Sequence, residues 1–149
     1  MTILYFVRHG QTIWNQEHRM QGFKNSALTP RGLQQADQLG QHLTKLPKID
    51  RILVSPSPRA QQTAQHLNAQ IKRPITTVPE FQELNMGCWE GQTHQAIQQA
   101  SPVEWQRFWH DPTAFEALNG GETFSQLQQR AQRGFERSLQ VYPKETLLI

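Results

Sequence analysis

Residues 2–10 of the chain have the sequence TILYFVRHG, and this stretch decides the fold. Thr2 to Val7 is a nearly continuous apolar, β-favouring run, which predicts a strand buried on both faces. Arg8, His9 and Gly10 follow at its carboxyl end. Open α/β sheets bind their ligands at the carboxyl ends of parallel strands. The sequence therefore predicts a ligand site here, in which Arg8 suits an anion and His9 can act as a nucleophile or base.

Helix and strand signals alternate along the rest of the chain. Thr29-Pro30 and Ser57-Pro58 each place a capping residue before a proline, which is typical of a helix start. Alternating strands and helices predict an α/β fold with a largely parallel sheet. The other predicted elements are strands at 51–54, 75–78 and from 146 onward, helices at 93–100 and 102–110, a long last helix with an apolar stripe from Phe124 to Leu139, and irregular stretches at 8–28 and 81–91.

The composition excludes several classes of protein. A length of 149 residues predicts one domain, 1–149, with a core of its own. The single cysteine, Cys88, excludes an internal disulfide framework and a cysteine-rich zinc site, and it favours a cytoplasmic location. No apolar run approaches the ~20 residues that a membrane-spanning helix needs. The net charge of +3 comes from scattered basic residues, which argues against a nucleic-acid partner and indicates a weak attraction for anionic small molecules.

A second basic side chain follows the second predicted strand. Arg59 lies in the first turn of the helix that Ser57-Pro58 begins, where the helix dipole favours an anion and disfavours a cation. One interpretation is a solvated surface arginine. The interpretation that we favour is that Arg59 converges on His9 to bind an anion. Asn15, in the loop after His9, can also donate through its amide.

The last predicted strand runs to the end of the sequence. Leu147, Leu148 and Ile149 have the apolar character of a core strand. A terminal carboxylate at the end of a buried strand is costly unless it is paired or solvated. We therefore expect the chain to be C-terminally truncated. The alternative is that Ile149 emerges at a sheet edge, where water solvates its carboxylate.

Several short motifs occur in a fixed order between residues 3 and 123. Together they resemble the histidine phosphatase superfamily, also called the phosphoglycerate mutase-like family, which implies a three-layer α/β/α fold with a mostly parallel sheet. The matching motifs are RHGQT with WN at 8–15, MQG at 20–22, LTP at 28–30, GLQQA at 32–36, SP at 55–56, RAQQTA at 59–64, EL at 83–84, GCWEG at 87–91 and GGET at 120–123.

The resemblance implies a chemistry for these residues. His9 would attack phosphorus and form a phosphohistidine, and Glu83 would give a proton to the leaving group. We expect the Glu83 carboxyl to be buried beside Trp89. Neither a metal nor a cofactor is implied. Arg8 and Arg59 would offset the charge of the phosphoryl group, and we therefore count them with His9 and Glu83 as catalytic residues. The residues implied in binding phosphate or substrate are Arg8, Asn15, Gln21, Gly22 and Arg59.

The sequence also departs from the family pattern. Relatives carry a second histidine, in a Ser/Thr-His-Gly stretch after the strand that begins at Thr146, and the sequence ends before that point. We therefore expect this piece to be weakly active. Asn25 stands where many relatives carry Asp, which we expect to alter loop contacts more than chemistry.

Three functions stay open at this stage. The segment 92–119 is shorter than the insertion that caps the site of phosphoglycerate mutases, which favours a phosphatase because water can reach the phosphohistidine. The alternatives are a mutase-type phosphoryl transferase and a phosphate-binding domain without turnover. The expected partner is a small phosphorylated metabolite, and the oligomeric state is not predicted. The aromatic candidates for holding an apolar leaving group are Trp14, Phe23, Trp89, Trp105, Phe108 and Trp109.

Overall fold

Four parallel strands form the central sheet. The computed structural model describes residues 1–149, and the strands are β1 (Ile3–Tyr5), β2 (Arg51–Val54), β3 (Ile75–Thr77) and β4 (Thr146–Leu148). They lie in the order β1-β4-β2-β3, and all three pairings are parallel. The last strand of the sequence therefore lies in the middle of the sheet, and the predicted parallel α/β fold is confirmed.

The chain forms six α-helices, and polar caps fix where two of the three longest ones begin. Thr29 accepts a hydrogen bond from the Gly32 amide, and Thr123 forms a reciprocal capping box with Gln126. None of the helices combines the length and the apolar character needed to cross a membrane. The helices are α1 (Ile13–Gln16), α2 (Pro30–Leu43), α3 (Pro58–Ile71), α4 (His94–Ala100), α5 (Pro102–His110) and α6 (Phe124–Val141), with 3-10 turns at Pro79–Phe81 and Gly87–Trp89.

The two faces of the sheet carry separate apolar clusters, which gives the three layers. On one face, Ile52 and Leu148 pack with Leu67 of α3. On the opposite face, Leu53 and Leu147 pack with residues beside α6. Successive residues of β2 and β4 thus alternate between the α2–α3 layer and the α6 layer, as strands buried on both faces require.

A third apolar cluster lies outside the sheet. Its buried members come from the loop before Gly22, from the 81–91 stretch, from α4 and α5 and from the loop after α5. Trp89, which is only 3% exposed, lies at the centre of this cluster. Its ring packs edge-on or tilted against the rings of Trp105, Phe108 and Phe115. This aromatic cluster gives the irregular 81–91 stretch a fixed position relative to the loop that follows β1.

Two local predictions are wrong. The first strand is not buried on both faces, because β1 is an edge strand with β4 as its only neighbour; Ile3 is 36% and Phe6 66% exposed. The stretch 8–28 is not wholly irregular, because Thr12 caps the short helix α1. Ser57 occupies the cap position of α3 but makes no capping bond, and the Asn25 side chain accepts a hydrogen bond from the Arg59 amide instead, at 3.2 Å.

Candidate active site

Gly10 sets the backbone that presents His9. The Gly10 amide donates to the Thr63 hydroxyl of α3 at 3.1 Å, and a Cβ at Gly10 would lie 2.3 Å from the Gly32 carbonyl oxygen of α2. Only glycine permits this approach of the loop to both helices. His9 is therefore held at the carboxyl end of β1, over the start of α2 and α3.

A main-chain hydrogen bond selects the tautomer of His9. Its Nδ1 lies 2.8 Å from the Gly10 carbonyl oxygen, which can only accept. Nδ1 must therefore carry the proton, and Nε2 of the neutral ring keeps its lone pair. That is the nitrogen a nucleophile needs.

The surroundings of His9 keep the ring neutral. Burial is the largest cause and lowers the pKa of His9 below its ordinary value; the positive charges of Arg59 and Arg8 lower it further. The hydrogen bond to Gly10 and the charge of Glu83 act in the opposite direction without cancelling these effects. The charges of both arginines and of Glu83 therefore influence the protonation of the imidazole.

Arg59 is a buried arginine, so the interpretation as a solvated surface residue is wrong. Only 2% of Arg59 is exposed, and its two Nη atoms donate to the carbonyls of Gly22 and Lys24, each at 2.9 Å. Its Nε is buried without a partner. Burial lowers the pKa of Arg59, whereas Glu83 and Glu90 raise it. A buried guanidinium with a spare N–H donor is costly unless an anion supplies the missing acceptor.

Arg8 and Asn15 supply further donors. Arg8 is exposed and makes no ion pair with an acidic side chain. The Asn15 Oδ1 accepts from the Thr12 amide at 3.0 Å, which turns the amide group so that Nδ2 remains available. Asn15 belongs to α1, so the missed helix is what orients this side chain.

Glu83 lies near His9 but not where we expected it. Glu83 is exposed, and its Oε1 accepts from the Leu84 amide at 2.9 Å. Leu84 occupies the buried side of the segment, 2% exposed, in the cluster that contains Trp89. Neighbouring residues of an extended segment point to opposite sides. The prediction that Glu83 is buried beside Trp89 is therefore wrong.

One cavity of about 430 Å³ brings most of the predicted residues together. Arg59 does not line it, but its Nη2 donates to the carbonyl of Gly22, which does. Of the six aromatic candidates, Phe108 and Trp109 line the cavity, whereas the others do not. The predicted residues that line it are Arg8, His9, Asn15, Gln21, Gly22 and Glu83, and the apolar part of the wall comes from Met20, Met86, Phe108, Trp109, Pro112 and Phe124.

Comparison with known proteins decides the family. The family model described as "Histidine phosphatase superfamily (branch 1)" matches residues 4–149. The chain belongs to this superfamily. It is 33% identical over 139 residues to "Probable phosphoglycerate mutase GpmB" of Erwinia tasmaniensis, covering 93% of this chain and 64% of that protein. The chain thus spans about three fifths of the length of the curated relatives it matches.

Solved structures that resemble this chain support the same family assignment. YhfR of Bacillus stearothermophilus superimposes with a TM-score of 0.92 at 37% identity, over 100% of this chain and 73% of that one. The α-ribazole phosphatase of Shigella flexneri gives a TM-score of 0.83 at 30% identity, over 97% of this chain and 70% of that one. The family resemblance seen in the motifs is therefore confirmed.

Gln21 and Gly22 hold the wall of this cavity in place. The Gln21 Oε1 accepts from the buried Thr12 hydroxyl at 2.8 Å. Gly22 has φ +56°, and a Cβ there would lie 2.3 Å from the Glu90 Oε1. Its carbonyl accepts from Arg59. Through these bonds, both residues support the donors around His9.

Glu90 and His94 are site residues that sequence reasoning missed. The buried Glu90 carboxylate accepts from the amides of Phe23, Lys24 and Met86 at 2.7–3.1 Å and thereby fixes the loop whose carbonyls hold Arg59. Its place in the GCWEG motif was the available signal. His94 lines the cavity, and burial lowers its pKa. His94 belongs to none of the family motifs, so the sequence did not indicate that it lines the cavity.

Proposed function

We propose that this chain forms the phosphoryl-transfer site of a phosphomonoester hydrolase that acts through a phosphohistidine. The observation that carries the proposal is the His9 ring, which the Gly10 carbonyl fixes through Nδ1 and whose pKa is lowered by burial and by the charges of two arginines, Arg59 and Arg8. One of them, Arg59, has a buried N–H donor without an acceptor. A phosphoryl group supplies both the electrophile for Nε2 and the acceptor for Arg59.

The proposed reaction has two steps. First, His9 Nε2 forms a bond to phosphorus while the ester P–O bond breaks, and the Glu83 carboxyl gives its proton to the departing oxygen, which leaves as an alcohol. Then water attacks phosphorus, Glu83 takes the proton of the water, and the N–P bond breaks to release phosphate. Arg8, Arg59 and the Asn15 amide offset the negative charge on the phosphoryl oxygens. Each step uses only groups of the chain, its substrate and water.

The outer wall of the cavity favours a hydrolase over a mutase. A phosphoglycerate mutase must hold a carboxylate and a second phosphate, which requires cations. Apart from Arg8, the only cationic side chain on the wall is Arg19, and its Nε is paired with Glu17 at 2.6 Å. Burial lowers the pKa of His94, which therefore stays neutral. We infer a small phosphorylated metabolite whose leaving group is uncharged and partly apolar, handled in the cytoplasm as the cysteine content predicts.

Three substrate incubations test this proposal. With 4-nitrophenyl phosphate or benzyl phosphate we expect release of inorganic phosphate, at a kcat/KM roughly 10-fold or more above that for 3-phosphoglycerate, because burying a carboxylate without a free cation is unfavourable. Formation of 2-phosphoglycerate would show a mutase instead. Binding of phosphate or vanadate without any product would show a binding domain without turnover.

The pH dependence of stability gives a second test. The folded protein binds a proton to His9 at lower pH than the unfolded chain, whose histidine titrates near ~6.5. Unfolding therefore becomes more favourable as the pH falls from ~6.5 through the lowered pKa, whereas above ~6.5 the residue adds no such penalty. We expect the free energy of unfolding in urea to fall less steeply over this acid range in His9→Asn than in the wild type. Parallel curves for the two proteins would contradict the lowered pKa.

A further inference from the structure

The guanidinium of Arg130 on α6 uses all of its N–H donors. Nε and Nη2 bind the two carboxylate oxygens of Glu122 at 3.0 and 2.6 Å. Nη1 donates to the carbonyls of Glu80 and Gln82, each at 2.8 Å, and Nη2 also donates to the Glu83 carbonyl at 3.3 Å. These five bonds exhaust the five donors of an arginine. Because every donor is used, Arg130 holds the segment that carries Glu83 in a defined position.

Glu122 ties the same segment from the other side. Its amide donates to the Asn85 carbonyl at 2.8 Å, and its Oε2 lies 3.4 Å from the Asn85 amide. The side chains of Arg130 and Glu122 are only 17% and 15% exposed. The pair therefore joins α6 and the GGET loop to residues 80–85 in a largely water-free place, where such bonds are strong.

The backbone alone determines where the Glu83 side chain stands. Glu83 is exposed, and the only hydrogen bond of its carboxylate is to the next amide in the chain, that of Leu84. Residues 82–86 form neither a helix nor a strand, so no ladder of main-chain bonds holds this segment. The planar fork of Arg130 instead binds three carbonyl groups of the segment, those of Glu80, Gln82 and Glu83, which a lysine ammonium cannot do.

We propose that Arg130 and Glu122 are a positioning pair that holds Glu83 for proton transfer to the leaving group. The inference rests on the proposed function, in which Glu83 is that proton donor. All five N–H donors of Arg130 are already used within the protein, so the pair acts through the segment that it holds. Proton transfer is sensitive to small displacements of the donor.

The test compares two substrates of similar shape. Benzyl phosphate releases an alkoxide and depends on the proton donor, whereas 4-nitrophenyl phosphate releases a stable anion and does not. For Arg130→Lys and for Glu122→Gln we expect kcat for benzyl phosphate to fall roughly 100-fold and kcat for 4-nitrophenyl phosphate to fall less than about 3-fold. The Glu83→Gln variant should show the same split, because it removes the donor itself.

Arg137→Gln is the matched control. Arg137 lies on the same helix and binds the Glu80 side chain at 2.7 Å, but it is exposed and contacts none of the carbonyls around Glu83. We expect both substrates to be hydrolysed by this variant at the wild-type rate. Amide exchange gives a readout besides turnover: the Asn85 and Glu122 amides should exchange at least about 10-fold faster in Arg130→Lys than in the wild type.

The outcomes separate the two proposals. Suppose that the wild type hydrolyses both substrates. If the Arg130→Lys and Glu122→Gln variants then lose activity equally on both substrates, or on neither, the positioning role is overturned and the proposed hydrolase function stands. Unchanged amide exchange would also overturn the positioning role. A wild type that hydrolyses neither substrate would refute the proposed function, and the positioning role with it.

Discussion

Replacing His9 with asparagine will abolish formation of a phosphoenzyme. Asparagine can still donate to the Gly10 carbonyl but has no nucleophilic nitrogen, so the loop keeps its bond and the chemistry is lost. We expect the rate of phosphate release to fall by roughly 10⁴-fold or more, as for the removal of other covalent nucleophiles. Rapid quenching with radiolabelled substrate measures the intermediate directly. The label on the wild type should survive alkali and be lost in acid, as an N–P bond requires.

His94→Asn is the control for this experiment. His94 lines the same cavity, but it lies in the aromatic group with Trp105 and Trp109, its ring 5.3 Å from that of Trp105. We expect the phosphoenzyme to form normally in this variant. If label persists in His9→Asn and disappears in His94→Asn, the nucleophile is His94, and the proposed mechanism fails.

Most of the fold could be predicted from local sequence. The helix starts at Pro30 and Pro58 and the strand at Arg51–Val54 are as expected, because caps, prolines and short apolar runs are local signals. The exposure of β1 could not be predicted, because it depends on the position of the strand in the sheet. An apolar run has the same sequence in an edge strand as in a central one.

The motifs indicated the candidate site residues, but not their surroundings. The sequence brought His9, Arg8, Asn15 and Glu83 to attention, and the structure gathers them around one cavity. Motifs carry no information about which side of an irregular segment a residue faces, so the burial of Glu83 was predicted wrongly.

Contacts between distant segments explain the remaining surprises. Glu90 binds amides 66 and 67 residues away, and Arg130 binds carbonyls 47 to 50 residues away. Neither relation has a periodic pattern in the sequence. In our proposal, the contacts of Glu90 and of Arg130 nevertheless determine the positions of the groups around His9. The site therefore depends on residues that do not themselves contact a substrate.

Replacing Arg59 will weaken the binding of phosphate-like anions and the fold together. In Arg59→Lys the charge remains, but one ammonium cannot serve the Gly22 and Lys24 carbonyls and also the site. Each charge-assisted bond contributes about 1.5–3 kcal/mol, so we expect the Kd for vanadate to rise roughly 10- to 100-fold. Isothermal titration of folded protein with vanadate measures this change.

Arg59 is also needed for stability. Arg59→Met should lower the free energy of unfolding by about 3 kcal/mol or more, because two buried carbonyls lose their donor. Arg31→Lys, at an exposed position on α2, should change neither stability nor vanadate affinity. Unaltered vanadate binding in Arg59→Lys would place Arg59 outside the anion site and reduce its role to holding the 22–24 loop. A rise in Kd would support a contact between the bound anion and the guanidinium of Arg59, whose buried Nε has no partner in the protein.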